Sequence, residues 1–566
     1  MKLETLRHST AHVLAHAVQN LYPNVKFGIG PDIEDGFYYD FEFKKPISNK
    51  DLNKIEKEMK TIIKKDLPFK KKTITKAEAK KLFKDQPYKL DLIKDLKTIS
   101  VYTLGNFTDL CKGPHIKSTK QIPIDGIKLI KIAGAYWKGD EKNKMLTRIY
   151  GTAWENKKDL NAYFHKLEEA ERRDHRIIGK KLNLFLFDEE LGAGLPLWTP
   201  KGTTMLKIIE DYLYDKLLEA GYQWIKSPHI ANLKLWETSG HWKFYRDSMY
   251  SPIEIENEKY ILKPMNCPFH VKIYNSQLRS YKDLPIKYAE LGTVYRYEKS
   301  GTLHGLSRVR GFTQDDAHIL CTPEQLEDEL YKTTKLGLKM LKDFGFKDYE
   351  IYLSTKPKTK CIGSDKVWKD ATKALKNTLD KLKLDYKEDK GGGAFYGPKI
   401  DIKIKDFLGR DWQCTTIQVD FNLPERFEMK YIDKNGEKQT IIMVHRALLG
   451  SIERFFAVLI EHYAGAFPLW LSPVQIHVIP ITDKQKKYAE ETYNQLKKYR
   501  TELIDQNESL SKKIRNAESV KIPYIVVIGD KEIKSKKLNI RHKGKTQDLT
   551  INKFIEQLNT EIEKKR

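Results

Sequence analysis

The chain has 566 residues, with 102 Lys+Arg against 77 Asp+Glu for a formal net charge of +25, and a hydrophobic content of 40%. That length exceeds one hydrophobic core and predicts three or four domains, while the charge favours a polyanionic partner unless it reflects only a lysine-rich genome. No apolar run approaches the roughly 20 residues of a membrane span, the N-terminus lacks an apolar leader segment, and five widely spaced cysteines exclude a disulfide framework, so a cytoplasmic protein is expected.

In chain order, Leu3, Leu6, Val13, Leu14, Ala17, Val18 and Leu21 recur at helical spacing. On that helix His8, His12 and His16 form an i, i+4, i+8 row and point roughly one way. CKGPH repeats the same separation with Cys111 and His115, next to Asp109. Read from the residues alone, two imidazoles plus this Cys and His are four potential ligands with zinc-like chemistry, or else unconnected histidines. Residues 155–181 follow, with EEAERRDHR polar almost all round, as in a helix that bridges domains.

Next come a helix from Lys201 and a strand towards Pro228, then a strand, loop and strand from Pro285 to His318 that carries Arg296, Glu298, Arg308 and Arg310 among sheet-forming residues. Only 18 of the basic residues are arginine, so arginine is expected where lysine cannot replace a planar guanidinium that grips phosphate or carboxylate through paired hydrogen bonds. Surface salt bridging is the plainer alternative. AFYGPKIDIKIKD and RDWQCTTIQVDF read as antiparallel strands, which argues against a Rossmann domain, and GGAFYGPK has Pro398 where a phosphate loop needs lysine. From Ser472 the pattern alternates strands (VQIHVIPI, ELID, YIVVIGD) with helices, a small α/β domain with a mixed sheet and 21 Lys+Arg against 13 Asp+Glu.

These stretches resemble a known family. YRYE with GFTQDDAH is similar to the second signature motif of class II aminoacyl-tRNA synthetases in its threonyl form; LGSIERF, ending near Arg454, resembles the third motif, and the helix and strand from Lys201 resemble the first. HSTAH with CKGPH resembles the editing-domain motifs of threonyl- and alanyl-tRNA synthetases. The resemblance runs from Leu6 to about Leu558. It implies an α+β multidomain protein: an α+β editing domain over 1–153, a linker helix over 154–181, an antiparallel-sheet class II catalytic domain over 182–471 and an α/β anticodon-binding domain over 472–566.

The same resemblance implies residue roles. Arg296 would hold the α-phosphate of ATP, Arg454 the far end of the triphosphate and Glu298 the adenine, with Arg308 on phosphate and Mg2+ bound with ATP. Cys267, His318 and His445, which no local spacing joins, would ligate one Zn2+ per subunit, leaving positions open for the amino and hydroxyl groups of threonine. Gln314, Asp316, Tyr396 and Gln418 would contact the amino and carboxylate groups. In the editing domain His8, His12, Cys111 and His115, helped by Asp109 and Lys89, would hydrolyse mischarged seryl-tRNA without a metal, and His16 would be structural. Asn507, Glu532 and Arg541 would read the anticodon of tRNA(Thr), and the first motif would form a homodimer. The ubiquitin-like domain that opens many family members is expected to be missing. The rival readings are a non-catalytic synthetase-like RNA-binding regulator, which should have lost motif arginines or ligands, and another class IIa ligase such as prolyl.

Overall fold

The structure is a computed structural model that describes residues 2–358, 361–406 and 409–565, and it divides into two compact units, Met1–Glu168 and Glu169–Arg566. In the first, the helix Leu3–Leu21 forms as its periodicity predicts. Leu6, Val13, Leu14 and Ala17 bury against Phe37, Tyr39, Phe41 and Ile149. These last four lie on an antiparallel sheet ordered Lys26–Phe27, Gly36–Glu42, Met145–Ala153, Ile127–Tyr136. A second helix, Leu52–Lys64, buries Leu52, Ile55, Met59, Ile62 and Ile63, one face at the 3–4 spacing of an α-helix. A separate three-stranded sheet, Lys70–Ile74, Ile99–Leu104 and Phe107–Leu110, ends beside Cys111 and so delivers CKGPH to the row of histidines.

The second unit is built on an eight-stranded sheet in the order Gln223–Trp224, Ile286–Tyr295, Gly311–Cys321, Ile442–Ser451, Asp411–Asp420, Lys399–Lys405, Tyr349–Ser354, Lys387–Asp389. All pairs are antiparallel except those of the two edge strands. The helices Pro200–Glu219, Leu326–Asp343, Asp365–Lys381 and Ile452–Tyr463 contribute Met205, Leu213, Leu330, Leu375 and Phe455 to the apolar core. A second sheet places Thr501–Leu503, Ile476–Pro480 and Tyr524–Ile528 in parallel and Leu538–His542 and Lys545–Leu549 antiparallel, the mixed α/β arrangement expected. All five cysteines are free, and among the described residues no helix is long and apolar enough to cross a membrane.

Two details refine the sequence reading. The bridging segment is two helices, Lys157–Arg173 and His175–Lys181, because the Asp174 side chain accepts the Arg176 amide and caps the second. The paired strands stop at Tyr295 and resume at Gly311, so Arg296, Glu298, Arg308 and Arg310 sit in the loop between them.

One buried pin fixes the middle of the large sheet. Between the pairs Gln314–Ser451 and Asp316–Ala447 the strand Ile442–Ser451 carries extra residues, a bulge at Leu448, Leu449 and Gly450. Their three amides turn onto the Asp315 carboxylate at 2.8–3.2 Å, and Arg446 Nη1 donates to the Asp315 carbonyl at 2.8 Å. Gly450 has φ +81°, and a side chain there would press on the Cys414 carbonyl. Burial pushes the Asp315 carboxyl up to about 6, against Arg446 and the three amides. Asp315→Ala strands Arg446 and the bulge amides, a loss of about 3–5 kcal/mol. Calorimetry should show the transition of this unit lowered by on the order of 5 °C or more, with Asp315→Asn, which keeps an acceptor oxygen, losing less than half as much; equal losses would contradict the pin.

Candidate functional site

Side-chain alternation along Gly311–Cys321 turns Gln314, Asp316 and His318 to one face of the sheet. The neighbouring strands add Gln418 and His445, the latter opposite both His318 and Gln418. On this face lies a cavity of about 270 Å3, lined by Cys267, Arg296, Gln314, Asp316, Tyr396, Gln418, His445 and Arg454, eight of the expected residues. Asn266 Nδ2 donates to Asp316 Oδ2 at 3.0 Å, and Gln418 Nε2 donates to the Gly397 carbonyl at 3.0 Å.

Of the three arginines that line this cavity, Arg296 and Arg454 are held in the same way. Arg296 Nε donates to the Pro264 carbonyl at 3.3 Å, its guanidinium 5.0 Å from the Phe312 ring; Arg454 Nε donates to the Ser307 carbonyl at 3.1 Å. The backbone thus takes one nitrogen of each fork and leaves the paired terminal nitrogens for an anion. Burial, then Arg296 and Arg308, pull the Arg454 pKa down, the mark of cations crowded together. Glu298 and Arg308 line an adjoining cavity of about 540 Å3 with Lys403, Arg410 and Arg454, where Arg308 pairs with Glu298 at 3.0 Å.

Cys267 and His445 line the first cavity and His318 lies fully buried next to His445, with one donor atom from each of the three within 4.8 Å of the others. His318 Nε2 and His445 Nδ1 face each other at 2.9 Å. The outer ring nitrogens are also held: His445 Nε2 donates to Asp420 Oδ2 at 2.8 Å, and His318 Nδ1 meets His270 Nδ1 at 2.9 Å, with His270 in turn 3.3 Å from Glu290. A carboxylate behind a ligand imidazole is the usual outer support of a metal site. Burial pushes the Cys267 thiol up and the His318 imidazole down, so a thiolate here calls for a cation beside it. One thiol and two imidazoles with oriented outer nitrogens fit zinc.

The first unit gathers its own cluster. His8 Nε2 lies 3.1 Å and His115 Nε2 3.3 Å from Cys111 Sγ, with His8 and His115 stacked at 4.5 Å and His12 edge-on to both. His12 Nδ1 is 3.6 Å from Asp109, and Lys89 forms a buried ion pair with the same carboxylate. Burial pushes the Cys111 thiol up to about 11 and lowers His8, His12 and His115, so all four side chains are neutral at ordinary pH. The donors of these four also lie within 4.8 Å of one another, so geometry alone does not separate this cluster from the first. His16 stands apart, bonded to Asn106 at 2.6 Å and stacked on Phe107.

The three C-terminal candidates are not joined: no hydrogen bond or ion pair links them among the described residues. Asn507 is exposed in the loop after Thr501–Leu503. Glu532 is buried and accepts the Gly529 amide at 2.8 Å, and Arg541 lies opposite Ile525, 3.6 Å from Glu518.

Apart from Arg446, which stands out as one of the few arginines, sequence reasoning missed the residues that hold these sites. Tyr39 donates to Asp109 at 2.6 Å and accepts from Lys89 at 3.0 Å. Asp420, His270 and Glu290 back the metal-type trio, and Asp315 and Arg446 pin the sheet beneath it. Each lies in an ordinary strand or helix pattern, and only a three-dimensional neighbour gives it a role.

Comparison with known proteins follows the same division. The "tRNA synthetase class II core domain (G, H, P, S and T)" family matches residues 250–463, the "Anticodon binding domain" family 475–561, and the "Threonyl and Alanyl tRNA synthetase second additional domain" family 99–150. The chain is 52% identical over 576 residues to a threonine–tRNA ligase of Sulfurihydrogenibium sp. (strain YO3AOP1), covering 100% of this chain and 89% of that protein. It is 51% identical over 571 residues to a chloroplastic/mitochondrial threonine–tRNA ligase of Arabidopsis thaliana, covering 99% and 87%. Among solved structures, the RNA binding domain of threonyl-tRNA synthetase from Cryptosporidium parvum Iowa II aligns with a TM-score of 0.66 at 38% identity, covering 69% of this chain and 98% of that one.

The buried imidazoles also set a pH dependence. With the His12 pKa held below the ordinary 6.5 by burial, then by His8 and Lys89, the unfolded chain takes up a proton that the fold refuses. Stability is full above about pH 6.5 and falls as the pH drops. Unfolding followed at several pH values should show this decline, and His12→Asn should flatten it by up to about 1.4 kcal/mol per pH unit below 6.5. An unchanged slope would contradict a neutral, buried His12.

Proposed function

Because the chain belongs to the threonine–tRNA ligase family, with the activity that membership carries, we propose the following division of chemistry among its residues. The carboxylate of threonine attacks the α-phosphorus of ATP; a P–O bond forms, the bond to the β-phosphate oxygen breaks, and pyrophosphate leaves. A 3′-terminal ribose hydroxyl of tRNA then attacks the carbonyl carbon, and AMP departs. Two anions must meet in the first step, so the catalyst is positioning plus fixed positive charge. Arg296 neutralises the α-phosphate and Arg454 the outer phosphates, each with its fork steered through Nε. Arg308 and Glu298 border the outer cavity, as phosphate and adenine contacts. Magnesium enters with ATP.

Cys267, His318 and His445 would hold zinc, which supplies a Lewis-acidic cation with open positions for a substrate amine and hydroxyl. Gln314, Asp316, Tyr396 and Gln418 surround the same space and orient the amino and carboxylate groups. Such a polar site rejects valine, which lacks the hydroxyl, by roughly 10^4 or more, but a missing methyl is worth only about 1–3 kcal/mol, so serine passes.

Residues 1–153 remove that error. Water attacks the seryl ester carbonyl, one proton passes to a neutral imidazole of His8 or His12, and another reaches the departing ribose oxygen. Cys111, a thiol at neutral pH, acts as a hydrogen-bond partner and not as a nucleophile. We assign 154–181 to the linker, 182–471 to the catalytic domain and 472–566 to tRNA(Thr) binding, with Asn507, Glu532 and Arg541 reaching separate, splayed bases. Exposed Tyr214 and Leu218, one turn apart on Pro200–Glu219, support a homodimer through this helix. Free cysteines favour a reducing, cytoplasmic setting.

The carrying observation is that residues from stretches nearly 190 positions apart, Cys267 to Arg454, line one cavity. Arg454→Ala should lower threonine-dependent ATP–pyrophosphate exchange a few hundredfold, about 3 kcal/mol, and leave hydrolysis of seryl-tRNA(Thr) intact. The pair His8→Ala and His12→Ala should do the reverse. Parent-rate exchange in the first, or parent-rate hydrolysis in the second, would overturn the assignment.

A further inference from the structure

We propose that His175 is a positioning residue that sets the loop Arg296–Arg310 against the helix Ile452–Tyr463, and so fixes the geometry of the ATP pocket; this rests on the reading of Arg296 and Arg454 as ATP ligands. The His175 ring is buried and both of its nitrogens are engaged. The Leu306 amide donates to Nε2 at 3.1 Å, which requires a lone pair there, so Nδ1 carries the proton and donates it to Glu461 Oε1 at 2.7 Å. With both nitrogens spent in this way, Leu306, His175 and Glu461 form a hydrogen-bond relay, and Asp174, 3.9 Å from Nδ1, turns to Arg176 instead.

The relay joins the two elements that carry the arginines. Glu461 lies in the last turn of the helix whose first turn carries Arg454, seven residues or roughly 10 Å apart. Arg173 Nη1 donates to the Glu461 and His462 carbonyls at 3.4 and 3.2 Å, so the segment that brings His175 is itself anchored on that helix end. The loop is gripped at consecutive residues: Leu306 by its amide from His175, and Ser307 by its carbonyl from Arg454 at 3.1 Å. Gly305 permits the close approach. It has φ +46°, and a Cβ there would lie 2.2 Å from His175 Nε2. Without the imidazole acceptor the buried Leu306 amide is orphaned, and the loop slackens where Ser307 holds the Arg454 fork.

The test compares full-length parent, His175→Asn and His175→Gln. Asparagine can keep the donor to Glu461 but not the acceptor for Leu306; glutamine can place a carbonyl oxygen near the position of Nε2. In pyrophosphate exchange His175→Asn should raise the KM for ATP roughly tenfold with the KM for threonine within about twofold, and His175→Gln should recover most of the loss. Hydrogen exchange of the peptide over 300–310 should be faster in the asparagine variant and near parent in the glutamine variant. Should His175→Asn fail to fold, Gly305→Ala, which leaves His175 in place, should give the same selective rise. Parent-like KM for ATP and parent-like exchange in His175→Asn, or equal rises for ATP and threonine in His175→Asn and His175→Gln, would overturn the proposal. Parent-like behaviour there with a large loss in Arg454→Ala would sink the clamp alone; no loss in Arg454→Ala would sink the ATP-site reading beneath it.

Discussion

Three antiparallel strands, Ile286–Tyr295, Gly311–Cys321 and Ile442–Ser451, pair in a register that sets His318 opposite His445 and holds Gln314 and Asp316 on the same face. Because side chains alternate at every residue, a slip of one position would turn His318 and His445 into the helix layer and put apolar Ala317 in the place of His318. The register is therefore held below the site, at the bulge whose amides converge on Asp315. That pairing sets the two imidazoles, Gln314 and Asp316, while the helix Cys267–Asn275 brings the thiol, the strand Asp411–Asp420 brings Gln418 and the helix Ile452–Tyr463 brings Arg454.

The polar groups of the site follow one physical rule. Each functional side chain spends one end on a fixed partner and keeps the other for a ligand. Arg296 and Arg454 give Nε to backbone carbonyls, His445 gives Nε2 to Asp420, and Asp316 is steadied by Asn266. Groups held in advance need little reorganisation when charge develops, which is where catalysis by positioning has its strength. The cluster in the first unit works under the opposite electrostatic condition. There burial keeps imidazoles and thiol neutral.

Much of this was legible in the sequence, for a physical reason. The helix Leu3–Leu21 follows from apolar spacing, the His8 and His12 row from its four-residue repeat, and the mixed C-terminal sheet from alternating apolar strands and amphipathic helices. The arginines stood out because the chain is poor in them. The trio Cys267, His318 and His445 came only from resemblance, since two of them meet across a sheet and the third starts a separate helix, which leaves no local spacing to read. Asp315, Asp420, His270 and Tyr39 were illegible for a related reason: each acts on a partner distant in sequence from a position whose local pattern is that of any buried strand or helix residue. The bend at Asp174 was missed because a polar stretch gives no apolar phase from which to see one helix become two.

The account turns on two imidazoles set opposite each other by strand register and the Cys267 thiol, at the start of the helix Cys267–Asn275, meeting at a single cation. X-ray absorption at the zinc edge of the metal-loaded protein tests it most directly. The prediction is one sulfur at ~2.3 Å and two nitrogens at ~2.0 Å, with the sulfur lost in Cys267→Ser and kept in Cys111→Ser. A shell of oxygen and nitrogen only, or sulfur that disappears with Cys111 instead, would contradict it.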